Sequence, residues 1–70
     1  MESGRLQDAI ELLTTNVRLF PESWNTYDSL GEAYAKVGDT ALAIQNYEKS
    51  IQLNPKNEIG KAALSKLRGK

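Results

Sequence analysis

A chain of 70 residues accommodates one small domain that buries only about 60% of its unfolded surface, so no large internal active site can be carved from it. Nine basic residues balance nine acidic ones, which removes the broad positive field that nonspecific nucleic-acid binding relies on. The absence of cysteine and histidine excludes disulfides, zinc sites and thiolate or imidazole catalysis, and no apolar run approaches the ~20 residues that cross a bilayer. The opening Met1-Glu2-Ser3-Gly4 lacks the basic-then-apolar order of a signal peptide. A cytoplasmic chain is the default expectation, with export left open for any longer parent.

From Leu6 onward the apolar residues Leu6, Ile10, Leu13, Val17 and Phe20 recur three or four apart, which predicts a helix over residues 5–19. Asp8 and Glu11 lie toward its positive N-terminal end and Arg18 near its negative C-terminal end, an order that complements the helix dipole. Pro21 stops this helix, and Ser23 is suited to cap the next, expected over residues 24–37. Gly38 is placed for the left-handed conformation that ends a helix without a steric penalty, and Asp39 to cap a third helix over residues 40–53. Ala43, Ile44, Tyr47 and Ile51 are its expected inward residues. Asn54-Pro55 ends it, Lys56 and Asn57 form a short turn, and Ile59, Ala62, Ala63, Leu64 and Leu67 predict a fourth helix over residues 58–68. The expected fold class is all-α, built from antiparallel helical hairpins.

The stretch from Tyr27 to Pro55 carries a set of residues at fixed spacing: Tyr27, Leu30-Gly31, Tyr34, Gly38-Asp39, Ala43, Tyr47 and Asn54-Pro55. Together they resemble a tetratricopeptide repeat, a helix-turn-helix unit of about 34 residues. A shift of 34 positions brings Gly4 onto Gly38, Ala9 onto Ala43, Ile10 onto Ile44, Leu19 onto Leu53 and Pro21 onto Pro55, so the period is internal to the chain. The resemblance implies a single α-solenoid domain in which residues 4–21 are the second helix of a truncated repeat, 24–57 a complete repeat and 58–68 a capping helix. Lys61 and Arg68 stand one period after Tyr27 and Tyr34, the exchange of aromatics for charge that a water-facing terminal helix needs. A chain that begins in mid-repeat is expected to be a fragment of a longer one. Residues 24–57 also resemble single repeats near the C-termini of longer bacterial proteins, some of them hydrolases. That second likeness implies a structural or dimerising appendage of a larger enzyme as the alternative function.

No catalytic, cofactor or metal residues are assigned. Asp28 and Glu32, four apart on one helix face, are the best candidates for an acid-base pair or a hard cation, but they read more simply as solvated charges on a groove. Gly60-Lys61 lacks the earlier glycine of a phosphate loop and reads as the first turn of a helix. Tyr27 and Tyr47 are expected in the core, with Tyr34 less constrained, and Trp24 is expected to pack against Phe20 where the second helix begins.

The resemblance further implies that a peptide or partner helix is bound on a concave face formed by Asn25, Asp28, Ser29, Glu32 and Lys36, followed by Ile59, Ala62, Ala63 and Lys66. Family members that grip the C-terminal carboxylate of a chaperone use lysine and asparagine at the places of Asp28 and Glu32. Two acids there would repel such a tail, so a basic or neutral segment is expected instead. Residues 1–55 carry a charge of 4 − 8 = −4 and residues 56–70 carry 5 − 1 = +4. With its own hairpin partner missing, the first helix is expected to expose part of its Leu6, Ile10, Leu13 and Val17 face and to recruit a second copy.

Overall fold

The computed structural model describes residues 2–69, with side chains from residue 5 onward. Four helices follow one another: α1 (Glu2–Leu19), α2 (Trp24–Val37), α3 (Thr40–Leu53) and α4 (Glu58–Arg68). Each packs on the next, and the α2–α3 contact is the most extensive. With extents of 32 × 31 × 16 Å, the chain forms a slab whose core is a seam between helices.

Three of the four helices keep their sequence-predicted bounds, and α1 starts about one turn earlier than expected, at Glu2. Ser3 and Gly4 are weak helix formers, which hides this turn from a periodicity reading, yet nothing in them forbids helical backbone. The turn between α2 and α3 follows its chemistry closely. Gly38 sits at φ 90°, donating to Ala35 O at 3.2 Å, while Asp39 donates to Tyr34 O at 2.9 Å, the paired bonds of a Schellman motif. The Asp39 carboxylate then accepts from Leu42 N at 3.2 Å and opens α3.

Ser23 departs from expectation. It occupies the cap position of α2, but its hydroxyl accepts from Thr26 Oγ1 at 3.1 Å and caps no backbone N–H. The first-turn amide of Thr26 bonds instead to the Ser23 carbonyl at 3.1 Å.

Two packing centres result. Ile10, Leu30 and Ala33 form a buried cluster with Leu13, Val17 and Tyr34 packed around it, joining α1 to α2. Between α2 and α3, Gly31 permits contact so close that a Cβ added there would lie 2.8 Å from the Tyr47 ring, and Ala43 is fully buried. Phe20, expected on the inward stripe of α1, stands beyond the helix end and is 61% exposed, which leaves it little part in packing beside the half-buried Trp24. Ile44 and Ile51 are only half-buried, and Ser50 takes the innermost place on α3.

Candidate interaction surface

The junction between α2, α3 and α4 is organised by one side chain. Asn57 is buried at the cap of α4, its Oδ1 accepting from Gly60 N at 3.0 Å. Its Nδ2 donates to Ser50 Oγ at 2.9 Å and to Asp28 Oδ2 at 3.1 Å. A buried amide needs such partners on both ends, and Asn57 finds them on three helices. Gly60 is buried against it, since any Cβ there would collide with the Asn57 amide.

This network changes the standing of Asp28. It is half-buried and structurally engaged, one face turned to the first turn of α4, and is no longer simply a solvated groove charge. Sequence reasoning took Asn57 for a turn residue; its signal was the preference for Asn immediately before a helix, three positions ahead of a glycine N–H.

The remaining candidate positions on α2 stay at the surface. Asn25 and Ser29 are exposed, and Glu32 pairs with Lys36 at 3.5 Å, both well solvated. Ser29, Glu32 and Lys36 also border a shallow depression whose other wall is Leu6, Ala9 and Leu13 of α1. On α4, Ile59 is 79% exposed, Ala62 and Lys66 are exposed and Ala63 is half-buried. The Asn57–Asp28 bond ties the first turn of α4, next to Ile59, to the middle of α2.

The tyrosines divide by role. Tyr47 is buried across Gly31, and burial, reinforced by the nearby charges of Asp28 and Glu32, pushes its hydroxyl pKa above the ordinary 10.0. Tyr34 packs on the α1–α2 cluster, and the half-buried Tyr27 donates to the Pro21 carbonyl at 3.1 Å. Tyr47 and Tyr34 thus serve packing, whereas Tyr27, expected in the core, is only half-buried. Among the described residues, no group of three or more carboxylates is arranged to hold a metal ion, and no helix is long and apolar enough to cross a membrane.

The expected partial exposure of the first helix holds for Leu6, Leu13 and Val17, which are half-buried, but not for Ile10. Ile10 is 4% exposed, with Leu13 and Val17 against the same cluster, so that stripe is largely engaged by α2. The strongly exposed apolar residues are Leu12 at 73% and Leu19 at 67%.

Residues 29–57 match the family model of the tetratricopeptide repeat. The chain is also 39% identical over 61 residues to the Hsp70-Hsp90 organizing protein of Triticum aestivum, covering 87% of this chain and 10% of that protein. It is 38% identical over 55 residues to the cellulose synthase operon protein C of Escherichia coli K12, covering 79% of this chain and 5% of that one. With the human superkiller complex protein 3 it shares 32% identity over 57 residues, 81% of this chain and 4% of the relative. The chain therefore spans between 4% and 10% of the length of these curated relatives.

Proposed function

This chain belongs to the tetratricopeptide-repeat family, whose repeats serve protein–protein interaction, and on that premise we propose that its α2 and α4 surfaces form one groove for a partner peptide. The face consists of Asn25, Asp28, Ser29, Glu32 and Lys36 on α2 with Ile59, Ala62 and Lys66 on α4. One observation carries the reading. Ile59, 79% exposed, stands two residues after the Asn57 cap whose amide binds Asp28, so α4 offers an exposed apolar anchor in the same turn that ties it to α2. An apolar side chain of the partner would cover Ile59, which is where affinity comes from, while charge sets the choice of partner.

The preferred partner is a basic or neutral segment. Asp28 is committed to Asn57, which leaves Glu32 as the adjustable charge, and its exposed pairing with Lys36 is weak enough to be exchanged for a partner's cation. The likeness to a chaperone-organizing protein does not by itself bring a chaperone tail to this groove, because Asp28 and Glu32 would oppose a terminal carboxylate.

Titration of a panel of short peptides of graded charge tests the proposal. Glu32→Lys should weaken binding of basic peptides by roughly 1 kcal/mol or less and leave the fold intact. Ile59→Asp should weaken binding to every peptide in the panel. Identical rankings and affinities in all three proteins would move the groove elsewhere.

A further inference from the structure

The Asn57 side chain can be oriented in one way only. The backbone N–H of Gly60 donates and cannot accept, so the amide oxygen must face it and the amide NH2 must face Ser50 and Asp28. Asn57 is 6% exposed, and Gly60 leaves no room beside the amide even for a Cβ. The two amide hydrogens therefore go to Ser50 Oγ at 2.9 Å and to Asp28 Oδ2 at 3.1 Å. An acceptor reached by a buried donor of fixed orientation is itself held in place.

Only one oxygen of Asp28 is held in this way. Among the described residues Oδ2 takes the one hydrogen bond that the carboxylate receives, and no cation pairs with it. Among the same residues no buried side-chain oxygen or nitrogen is left without a partner, so the unbonded Oδ1 reaches solvent although the residue as a whole is half-buried. The carboxylate is thus anchored at one oxygen and open at the other. Glu32, one turn further along α2, is its opposite, well solvated and paired only with Lys36 of its own helix.

We infer that Asn57 is a positioning residue of the α2–α4 groove: by holding Oδ2 it makes Asp28 a one-point acceptor, suited to the ammonium group of a lysine in the partner rather than to an arginine. This rests on the groove proposed above and narrows its partner from a basic segment to a lysine-bearing one. The reason is geometric. A guanidinium gains its advantage over an ammonium by laying two parallel N–H groups against both oxygens of a carboxylate. At Asp28 one of those oxygens already carries the Asn57 amide, and turning the carboxylate would break a bond to a buried donor. An ammonium is a compact charge with rotatable donors and needs only Oδ1. Glu32, solvated and free to turn, imposes no such choice.

Calorimetric titration with two peptides that differ only in one lysine or arginine tests this, using the chain with Glu32→Gln so that Asp28 is the one carboxylate on the groove face. The lysine peptide should bind more tightly by roughly two- to fivefold, the range of a partly solvated ion pair. Asn57→Ser keeps a capping oxygen for Gly60, but its side chain stops one bond short of the Nδ2 position and frees Asp28 Oδ2. Its preference should move toward arginine by a similar factor. Asp28→Asn keeps an oxygen for the Asn57 amide and removes the charge, so its preference should vanish. Helical circular dichroism checks each fold, and mere destabilisation would weaken both peptides alike and leave their ratio unchanged. An arginine preference in the parent, a ratio unchanged in folded Asn57→Ser, or a lysine preference that survives Asp28→Asn would each overturn the positioning role and leave the groove standing. Failure of both peptides to bind, with or without Glu32→Gln, would remove the groove and this inference with it.

Discussion

The α1–α2 and α3–α4 contacts occupy equivalent places one period apart, yet they are closed by different chemistry. Between α1 and α2 the closure is apolar, with Ile10, Leu30 and Ala33 buried and Tyr34 packed beside them. Between α3 and α4 the counterpart of Leu30 is Leu64, also buried, but the counterpart of Tyr34 is Arg68, paired with Glu48, and an interior bond runs from Asn57 to Ser50 and Asp28. The caps differ in the same sense, since Ser23 leaves the amides of α2 without a side-chain partner while Asn57 serves both its own helix and two others. Apolar closure tolerates sliding and is largely indifferent to salt. Polar closure fixes register, at the cost of needing every partner in place. The chain therefore combines a forgiving contact at one end with an exacting one at the other.

Both contacts hang on the central hairpin, so the largest effect comes from breaking it. Gly31→Leu must displace the Tyr47 ring, because even a Cβ at this site would lie 2.8 Å from it. The expected cost is about 1–3 kcal/mol, and each kcal/mol lowers the melting temperature of a domain this size by roughly 4–8 °C. A thermal melt in which Gly31→Leu matches the parent chain would mean that the close α2–α3 approach is not what holds the ends in place.

The next test sets one cap against its counterpart. Asn57→Ala removes an N-cap and leaves Ser50, which is fully buried, without the donor that satisfies it, for a combined cost of about 2 kcal/mol. Ser23→Ala removes only the bond from Thr26 Oγ1 and should cost about 1 kcal/mol or less. Urea denaturation of the two variants decides whether the polar end is the more exacting one. Equal costs would remove the distinction drawn between the contacts.

The legibility of this fold in its sequence follows the same division. Helix ends were readable wherever a residue acts on its own backbone, as Gly38, Asp39, Pro21 and Pro55 do, and the 34-position register was readable because it repeats. Three features were hidden for physical reasons. The bond from Asn57 to Asp28 joins residues 29 positions apart, and no local spacing reports it. Ser50 shares the buried stripe of Ala43 and Tyr47, but a hydroxyl carries no apolar signal, and the Asn57 amide that satisfies it comes from beyond the helix. Leu12 and Leu19 fall outside the main apolar stripe of α1, and how far each is covered is a tertiary fact that local spacing does not report.

The smallest expected effect joins the two halves of the comparison through Tyr47. Its hydroxyl is pushed above the ordinary pKa of 10.0 first by burial and then by Asp28 and Glu32, and Asp28 is the residue that Asn57 holds from the polar end. The native state thus keeps this proton more tightly than the unfolded chain. Below pH 10 both states are protonated and the contribution is fully present; above it the unfolded chain ionises first, and stability falls until the folded pKa is passed. Tyr47→Phe has no proton to lose. The stability difference between the parent chain and this variant should be constant at neutral and mildly alkaline pH. It should then shift against the parent as pH rises past 10.0, in urea titrations that follow helicity. All other ionisable groups are common to both proteins and cancel in the difference. Parallel alkaline curves would show that Tyr47 ionises as easily in the fold as out of it, and that the acids tied to the polar end do not act on the central hairpin.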